Sequence, residues 1–296
     1  MTSDMRGVYP ILITPFDDQF RVDVESLQSL VDFVIDNGVH GFGVALGSEV
    51  FKLNDEERLL VTRTVVDQAA GRVPVVINTG GNATELAIFY SRMAEENGAD
   101  ALMLMPPSFI PVGGAETREY FKAVSDAVSI PIFIQDTSTT HVAADLAVQI
   151  AQESENVRYI KVESLPTPVM VEETTRKAGD VLTIFGGAGG NYFVEEMRRG
   201  SVGTMPFCSQ PEAFIEVWDR YWAGDEKGAL EVFYRTILRI NRVGASGRAA
   251  AYYHVHKEIL RQRGVIRTAN VRGPIPPLDE SVRRELQDLI DELYPA

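Results

Sequence analysis

Cysteine and histidine are scarce in this sequence, which has one cysteine and four histidines among 296 residues. A single cysteine excludes an intrachain disulfide, and the histidines do not show the spacing of a metal-binding motif. We therefore expect a reducing, cytoplasmic location and no protein-bound metal. A nucleophilic role for Cys208 is less favoured than that of a small buried apolar residue, because no histidine has an identifiable relation to it.

Positive charge and long apolar runs are also lacking. The 28 lysines and arginines are outnumbered by 42 aspartates and glutamates, which gives a net charge of −14, and they are scattered along the chain. This distribution argues against nucleic acid as a partner. No basic segment followed by an apolar run opens the chain, and no apolar segment is long enough to span a membrane, so we expect neither export nor membrane insertion.

Short apolar runs are present, and eight of them are each followed by a stretch with helical periodicity. The runs read VYPILIT, GFGVAL, VPVVIN, DALMLM, IPIFIQ, VRYIKVE, LTIFGG and SVGTMPF. The helices predicted after them cover 24–36, 55–70, 84–96, 116–128, 143–152, 167–177, 192–199 and 211–222. Alternation of this kind predicts an α/β fold, a (β/α)₈ TIM barrel. Helices predicted at 227–239, 248–263 and 280–293 have no strand between them, so we divide the chain into a barrel (1–224) and a helical extension (225–296).

The sixth run contains a lysine where a buried strand is expected. Functional groups of such a barrel lie at the carboxyl ends of its strands. Because side chains alternate along a strand, Tyr159, Lys161 and Glu163 share the inner face. Burial disfavours a charged amine, and a neutral one can attack a ketone to form a Schiff base. The alternative, a structural ion pair with Glu163, stays open on position alone, although we favour the chemical role.

The fifth run places Gln135 in the same cavity, together with Phe133. An amide can orient a carbonyl, a hydroxyl or a water molecule, but it is a poor acid or base. A hydrogen-bonded polar residue of the core explains Gln135 equally well.

Glycines follow the second and seventh strands. Backbone amides around Gly47, together with Ser48, could hold a carboxylate, or the pair could supply only a turn. Gly187 and Gly189 would let a substrate approach the backbone closely. This glycine run lacks the spacing of a dinucleotide-binding motif.

With these residues assembled, the chain resembles the superfamily of dihydrodipicolinate synthase and N-acetylneuraminate lyase, which contains class I aldolases and dehydratases. The resemblance rests on TPF at 14–16, L-x-D-E-E-R at 53–58 and Lys161. It implies a barrel with C-terminal helices and a Schiff base between Lys161 and a small 2-oxo acid. It further implies that no metal or other cofactor is needed, and that the protein is a homo-oligomer, a tetramer or a dimer.

The departures from the family pattern concern its proton relay. Dihydrodipicolinate synthases and neuraminate lyases have Tyr-Asn where this chain has Gln135 and Asp136. The segment 45–49 replaces the synthase GTTGE, and MPPSF at 105–109 lacks the usual partner tyrosines. The tyrosine–threonine relay of the synthases therefore cannot be assembled here.

One subgroup, similar to 2-keto-3-deoxy-L-arabonate dehydratase, shares SE-x-F after strand two, MPP after strand four, QD after strand five and K-x-E on strand six. In this chain those motifs begin at Ser48, Met105, Gln135 and Lys161. The resemblance implies dehydration of a 2-keto-3-deoxy sugar acid. The expected catalytic residues are Lys161, Glu163 and Gln135, and the expected substrate-binding residues are Gly47, Ser48, Glu49, Asp136, Gly187 and Gly189.

Two alternatives remain open from the sequence. A pyruvate-dependent aldolase or a condensing enzyme of the dihydrodipicolinate synthase type would use the same lysine. A non-catalytic protein that binds 2-oxo acids would explain the missing tyrosines, but it would have no need for a buried lysine–glutamate pair.

Overall fold

The computed structural model describes residues 5–248 and 250–295. Eight parallel strands form one sheet in the order β1-β8-β7-β6-β5-β4-β3-β2. A bridge between Ile11, just after β1, and Gly43 of β2 closes this sheet into a barrel. The strands are β1 Gly7–Val8, β2 Phe42–Val44, β3 Val75–Asn78, β4 Ala101–Leu104, β5 Ile132–Asp136, β6 Val157–Val162, β7 Thr183–Gly186 and β8 Gly203–Thr204. The predicted (β/α)₈ TIM barrel is confirmed.

Helices alternate with these strands and continue beyond the barrel. They are α1 Val24–Asp36, α2 Asp55–Ala69, α3 Thr84–Glu96, α4 Gly114–Ser125, α5 Ala144–Glu153, α6 Thr167–Ala178, α7 Phe193–Met197, α8 Pro211–Trp222, α9 Glu226–Val232, α10 Leu238–Ser246, α11 Ala251–Gln262 and α12 Glu280–Leu293. The bounds of α1, α3, α8 and α12 agree with those expected from the apolar periodicity.

One predicted helix, 227–239, has the wrong end. The chain is helical from Glu226 to Ser246, with a π-helical turn at Phe233–Ile237 between α9 and α10. Asn241 and Gly244 have low helix propensity, and the prediction stopped before them. Burial of Ile240 and Gly244 against neighbouring helices overrides this local preference.

Two apolar layers confirm the alternation expected for the strands. Phe133 and Tyr159 point into the barrel, where their rings stack with centroids 4.4 Å apart. Ile160 and Val162 point outward into the layer between strands and helices. Lys161 therefore lies on the inner face of β6, one step above the stacked rings.

Local sequence signals define the helix ends. The Asn54 side chain accepts a hydrogen bond from the backbone N–H of Glu57, and the Glu57 carboxylate accepts one from the backbone N–H of Asn54, which is a capping box. Gly38 and Gly98 follow α1 and α3 with φ of 78° and 85°, the left-handed conformation of a C-terminal cap.

The helical extension is joined to the barrel by ion pairs as well as by packing. Arg267 and Arg272 pair with carboxylates at the starts of α1 and α2, Asp23 and Glu57. These contacts hold the extension across the carboxyl-terminal side of the barrel. The domain boundary near residue 225 stays a prediction.

Candidate active site

Lys161 lies at the carboxyl end of β6, between Gln135 of β5 and Phe185 of β7 in the sheet register. Its side chain is 5% exposed, and its Nζ is 3.0 Å from Oε1 of Glu163. A buried amine paired with a single carboxylate, at the edge of a cavity, is an arrangement suited to covalent catalysis.

Three donors hold the Glu163 carboxylate in place. Besides Lys161, Gln135 Nε2 donates to Oε2 at 2.9 Å, and the backbone N–H of Ala188 donates to Oε1 at 3.0 Å. Gly187 makes room for this group, because a Cβ at that position would lie 2.4 Å from Cγ of Glu163. The structure thus brings Lys161, Glu163 and Gln135 together.

A cavity of about 720 Å³ opens above this cluster. Gly47 and Gly189 form part of its wall, and their contact with a substrate stays a prediction. The extension forms another part, which was not predicted from the sequence. Residues of α10 and α11 that line the cavity are Asn241, Gly244, Ala245, Tyr252, Tyr253 and His256. The volume suits a ligand of small-molecule size.

Ser48 and Glu49 lie beside the cavity but are not among the residues that line it. The Ser48 hydroxyl donates to the carbonyl of Leu12 and accepts from the backbone N–H of Ala45 at 3.0 Å. These bonds hold the turn that carries Gly47 against the segment that follows β1. Ser48 therefore supports the cavity wall, and its expected contact with a substrate stays a prediction.

Glu49 is fully buried within a group of charges. Its two carboxylate oxygens lie 2.6 Å from Nζ of Lys257 and 2.7 Å from Nζ of Lys52. Lys257 also donates to the carbonyl of Asn270 at 2.8 Å, and burial lowers its pKa to about 8 although Glu49 opposes this shift. Glu49 therefore links the turn after β2 to α11, and no local sequence pattern predicts its distant partner Lys257.

Asp136 fastens two loops of the barrel mouth together. Its carboxylate accepts from the backbone N–H of Val142 at 2.8 Å and from the Ser164 hydroxyl at 2.8 Å, and it lies 2.9 Å from Nδ1 of His141. Burial raises the pKa of Asp136. The residue is 1% exposed and is not part of the cavity lining, so it orders the loops after β5 and β6.

His256 is a cavity residue for which the sequence predicted no role. Its ring stacks on Phe207 with centroids 4.1 Å apart, and its Nδ1 lies 2.8 Å from the Ser209 hydroxyl. Burial lowers the pKa of His256 to about 3, so the imidazole stays neutral at physiological pH. Cys208 stands between Phe207 and Ser209 in the chain. It is fully buried, and burial raises the pKa of its thiol to about 12. The low reactivity favoured for this thiol follows from its burial.

Within residues 5–248 and 250–295, no three histidine, cysteine, aspartate or glutamate side chains gather so that they could hold a metal ion. Over the same ranges, no helix combines the length and the apolar character needed to cross a membrane.

Comparison with known proteins assigns the family. The model of the dihydrodipicolinate synthetase family matches residues 4–293. The chain is 31% identical to L-2-keto-3-deoxyarabonate dehydratase of Azospirillum brasilense, over 98% of this chain and 95% of that protein. It is 30% identical to 4-hydroxy-tetrahydrodipicolinate synthase of Methanocaldococcus jannaschii, over 78% of this chain and 80% of that protein.

A solved structure, dihydrodipicolinate synthase from Aquifex aeolicus, superposes with a TM-score of 0.89 at 27% identity and covers 97% of this chain and 98% of that chain. Sequence and fold therefore agree along nearly the whole length of the protein. The chain belongs to the dihydrodipicolinate synthetase family.

Proposed function

We propose that the protein is a Schiff-base-forming lyase that removes water from a 2-keto-3-deoxy sugar acid. The observation that carries the proposal is the buried Lys161 with the Glu163 carboxylate 3.0 Å from its amine, facing the cavity. The name of the Azospirillum relative supports this reaction, and the names of other relatives support the shared chemistry. The lysine supplies the electron sink, so the proposed reaction needs no metal or organic cofactor.

The reaction begins when the neutral amine of Lys161 attacks the C2 ketone of the substrate. The adduct takes up one proton and loses water to give a protonated imine, which withdraws electrons and makes a proton on C3 removable. Glu163 contacts the lysine and shares its face of β6, so its carboxylate is within reach of that proton.

Glu163 then serves in both halves of the elimination. The carboxylate takes the C3 proton, and the resulting acid gives a proton to the C4 hydroxyl, which leaves as water. Gln135 and the Ala188 N–H hold the carboxylate oxygens during this exchange. Gln135 also orients the hydroxyl or the water that hydrolyses the final imine. Hydrolysis of this imine consumes one water molecule, releases the product and restores Lys161.

Substrate orientation follows from the ends of the cavity. The carboxylate next to C2 binds at the turn of Gly47, which Ser48 supports from behind. The sugar chain then extends past Gly189 toward α10 and α11, where Asn241 donates to the carbonyl of Gly189 at 2.9 Å. Glu49 and Asp136 act indirectly, by holding the loops that form the walls.

The test is borohydride reduction in the presence of 2-keto-3-deoxy pentonates, 2-keto-3-deoxy hexonates or pyruvate, followed by peptide mass spectrometry. We expect an adduct on Lys161 and the loss of water from one of the sugar acids. The matched controls are Lys161→Met, which removes the nucleophile, and Lys257→Met, which removes the other deeply buried lysine and should keep the adduct.

Glu163→Gln separates imine formation from elimination. The variant should still form the adduct with pyruvate, whereas its turnover should fall by roughly 10² to 10⁴ because the base is lost. Release of pyruvate from a sugar acid by the unmodified protein would assign an aldolase, and consumption of pyruvate with an aldehyde would assign a condensing enzyme. A folded protein that binds 2-oxo acids without forming any adduct would be the non-catalytic binding protein.

We also propose that the protein self-associates, as its family resemblance implies. Phe109 and Ile110, in the loop after β4, are 85% and 73% exposed, which is unusual for adjacent large apolar side chains. Light scattering after gel filtration should show a dimer or tetramer, and Phe109→Ser with Ile110→Ser should shift it toward the monomer. An unmodified protein with the mass of one chain would contradict the proposal.

A further inference from the structure

A second carboxyl group, that of Glu196 on α7, lies behind the active site. The side chain is fully buried, and one oxygen accepts a hydrogen bond from the Thr167 hydroxyl at 2.5 Å. The other oxygen, Oε2, has no hydrogen-bond partner among the described residues. A buried carboxylate in this position would lack compensation for its lost hydration, whereas a neutral acid would be tolerated.

Two adjacent glycines at the end of β7 bring this group close to the reacting residues. A Cβ on Gly186 would lie 1.8 Å from Oε2 of Glu196, and a Cβ on Gly187 would lie 2.4 Å from Cγ of Glu163. The two glycines therefore make room for two carboxyl groups, one each. The wall of the site at this point is a bare peptide backbone, with Glu163 and Glu196 packed against it.

Burial and the surrounding charges together determine the protonation of Glu196. Burial raises the pKa of Glu196 to about 8, the negative charges of Glu163 and Glu195 act in the same direction, and the Thr167 hydrogen bond and the charge of Lys161 oppose it. Glu163 and Lys161 come from β6, Thr167 from α6, and Glu195 from the same helix as Glu196. Below this pH the group is a neutral acid.

We propose that Glu196 is a positioning residue: its carboxyl group, which packs against the backbone of Gly186 outside the cavity, sets the net charge around the active site. As a neutral acid, it leaves Glu163 to carry the negative charge beside Lys161. When it ionises, a second negative charge behind the wall opposes the approach of an anionic 2-oxo acid to Lys161. The inference rests on the proposed Schiff-base function, because it concerns the rate of imine formation at Lys161.

The experiment follows the rate of adduct formation between Lys161 and pyruvate from pH 6.5 to 9, for the unmodified protein and for Glu196→Gln. Glutamine keeps the shape and cannot ionise. The two rates should agree at pH 6.5, and at pH 9 the unmodified rate should be about one tenth of the variant rate, because about nine tenths of Glu196 is then ionised. Glu195→Gln, on the same helix, removes a negative charge that raises the pKa of Glu196, so the decline in rate should persist but move toward lower pH.

Thr167→Val provides a second variant if Glu196→Gln does not fold. It removes a hydrogen bond that favours the ionised form, so the decline in rate should move to higher pH. Infrared difference spectra should also show the carbonyl band of a buried protonated acid at pH 7, absent in Glu196→Gln. Identical pH profiles for all variants, or no such band, would overturn the inference. A complete lack of adduct in the unmodified protein would instead refute the proposed function.

Discussion

The buried pair of Glu49 and Lys257 allows a quantitative prediction. Neither side chain is exposed, their charged atoms are 2.6 Å apart, and the Lys257 ammonium also lies 4.4 Å from the ring of Phe16. Lys257→Met fills most of the lysine volume with an apolar chain but leaves one Glu49 oxygen buried without its cation. Breaking a buried pair in this way costs about 3 to 5 kcal/mol.

The lower end of that range applies here, because Lys52 still contacts the other oxygen of Glu49 at 2.7 Å. Unfolding of a chain of 296 residues has an entropy of roughly 0.6 kcal/mol/K, so a loss of about 3 kcal/mol lowers Tm by about 5 °C. Glu49→Gln should cost less, since burial already lowers the pKa of Lys257 and the amine can lose its proton. The double variant should recover most of the loss.

Urea titration and thermal melting of the four proteins complete a double-mutant cycle. We expect a coupling free energy above about 1 kcal/mol between Glu49 and Lys257. The reasoning would be refuted if Lys257→Met lowered the free energy of unfolding by the same amount with glutamate and with glutamine at position 49. Because Glu49 lies next to the turn that carries Gly47, the Glu49→Gln variant should raise KM for the 2-oxo acid more than it lowers kcat.

Three further predictions concern the cavity. Gly187→Ala should displace Glu163 and lower turnover by about 100-fold, with little change in Tm. The control is Gly273→Ala, where a Cβ meets no atom within 4 Å. Equal turnover of the two variants would contradict this prediction. His256→Gln should remove a loss of folding stability that occurs in acid. The imidazole binds a proton below pH 6.5 in the unfolded state but only near pH 3 in the folded state, so the free energy of unfolding falls as pH falls through this window. Urea titrations at pH 5 should show a loss of about 2 kcal/mol in the unmodified protein. An unchanged loss would refute the role of His256. Asn241→Ala should raise KM for the sugar acid several-fold while adduct formation with pyruvate persists, and equal effects on both ligands would contradict the placement of the sugar chain.

Period-two alternation was sufficient to place the centre of the site. Lys161 and Glu163 were expected on one face of β6 and Gln135 on the matching face of β5, and the structure places all three together. The signal is local, since every residue in it belongs to a short strand whose direction and neighbours follow from the barrel.

Contacts between distant parts of the chain were not predictable in the same way. The partner of Ser48 is the carbonyl of Leu12, and that of Glu49 is Lys257, which is 208 residues away. Lys257 lies within a helix among apolar residues, and no local pattern distinguishes it from a solvated lysine. Glu196 was missed for a related reason, because its burial depends on the absence of a side chain at Gly186.

The contribution of α10 and α11 to the cavity has a consequence for engineering. An exchange of residues 225–295 between two family members would replace the part of the cavity wall that α10 and α11 form and leave Lys161, Glu163 and Gln135 untouched. Such a chimera must preserve the ion pairs between the barrel and the extension, because Lys257, Arg267 and Arg272 of the extension pair with carboxylates of the barrel. Under the proposed function, substrate range and covalent chemistry would then come from different family members, provided that both halves carry compatible charges.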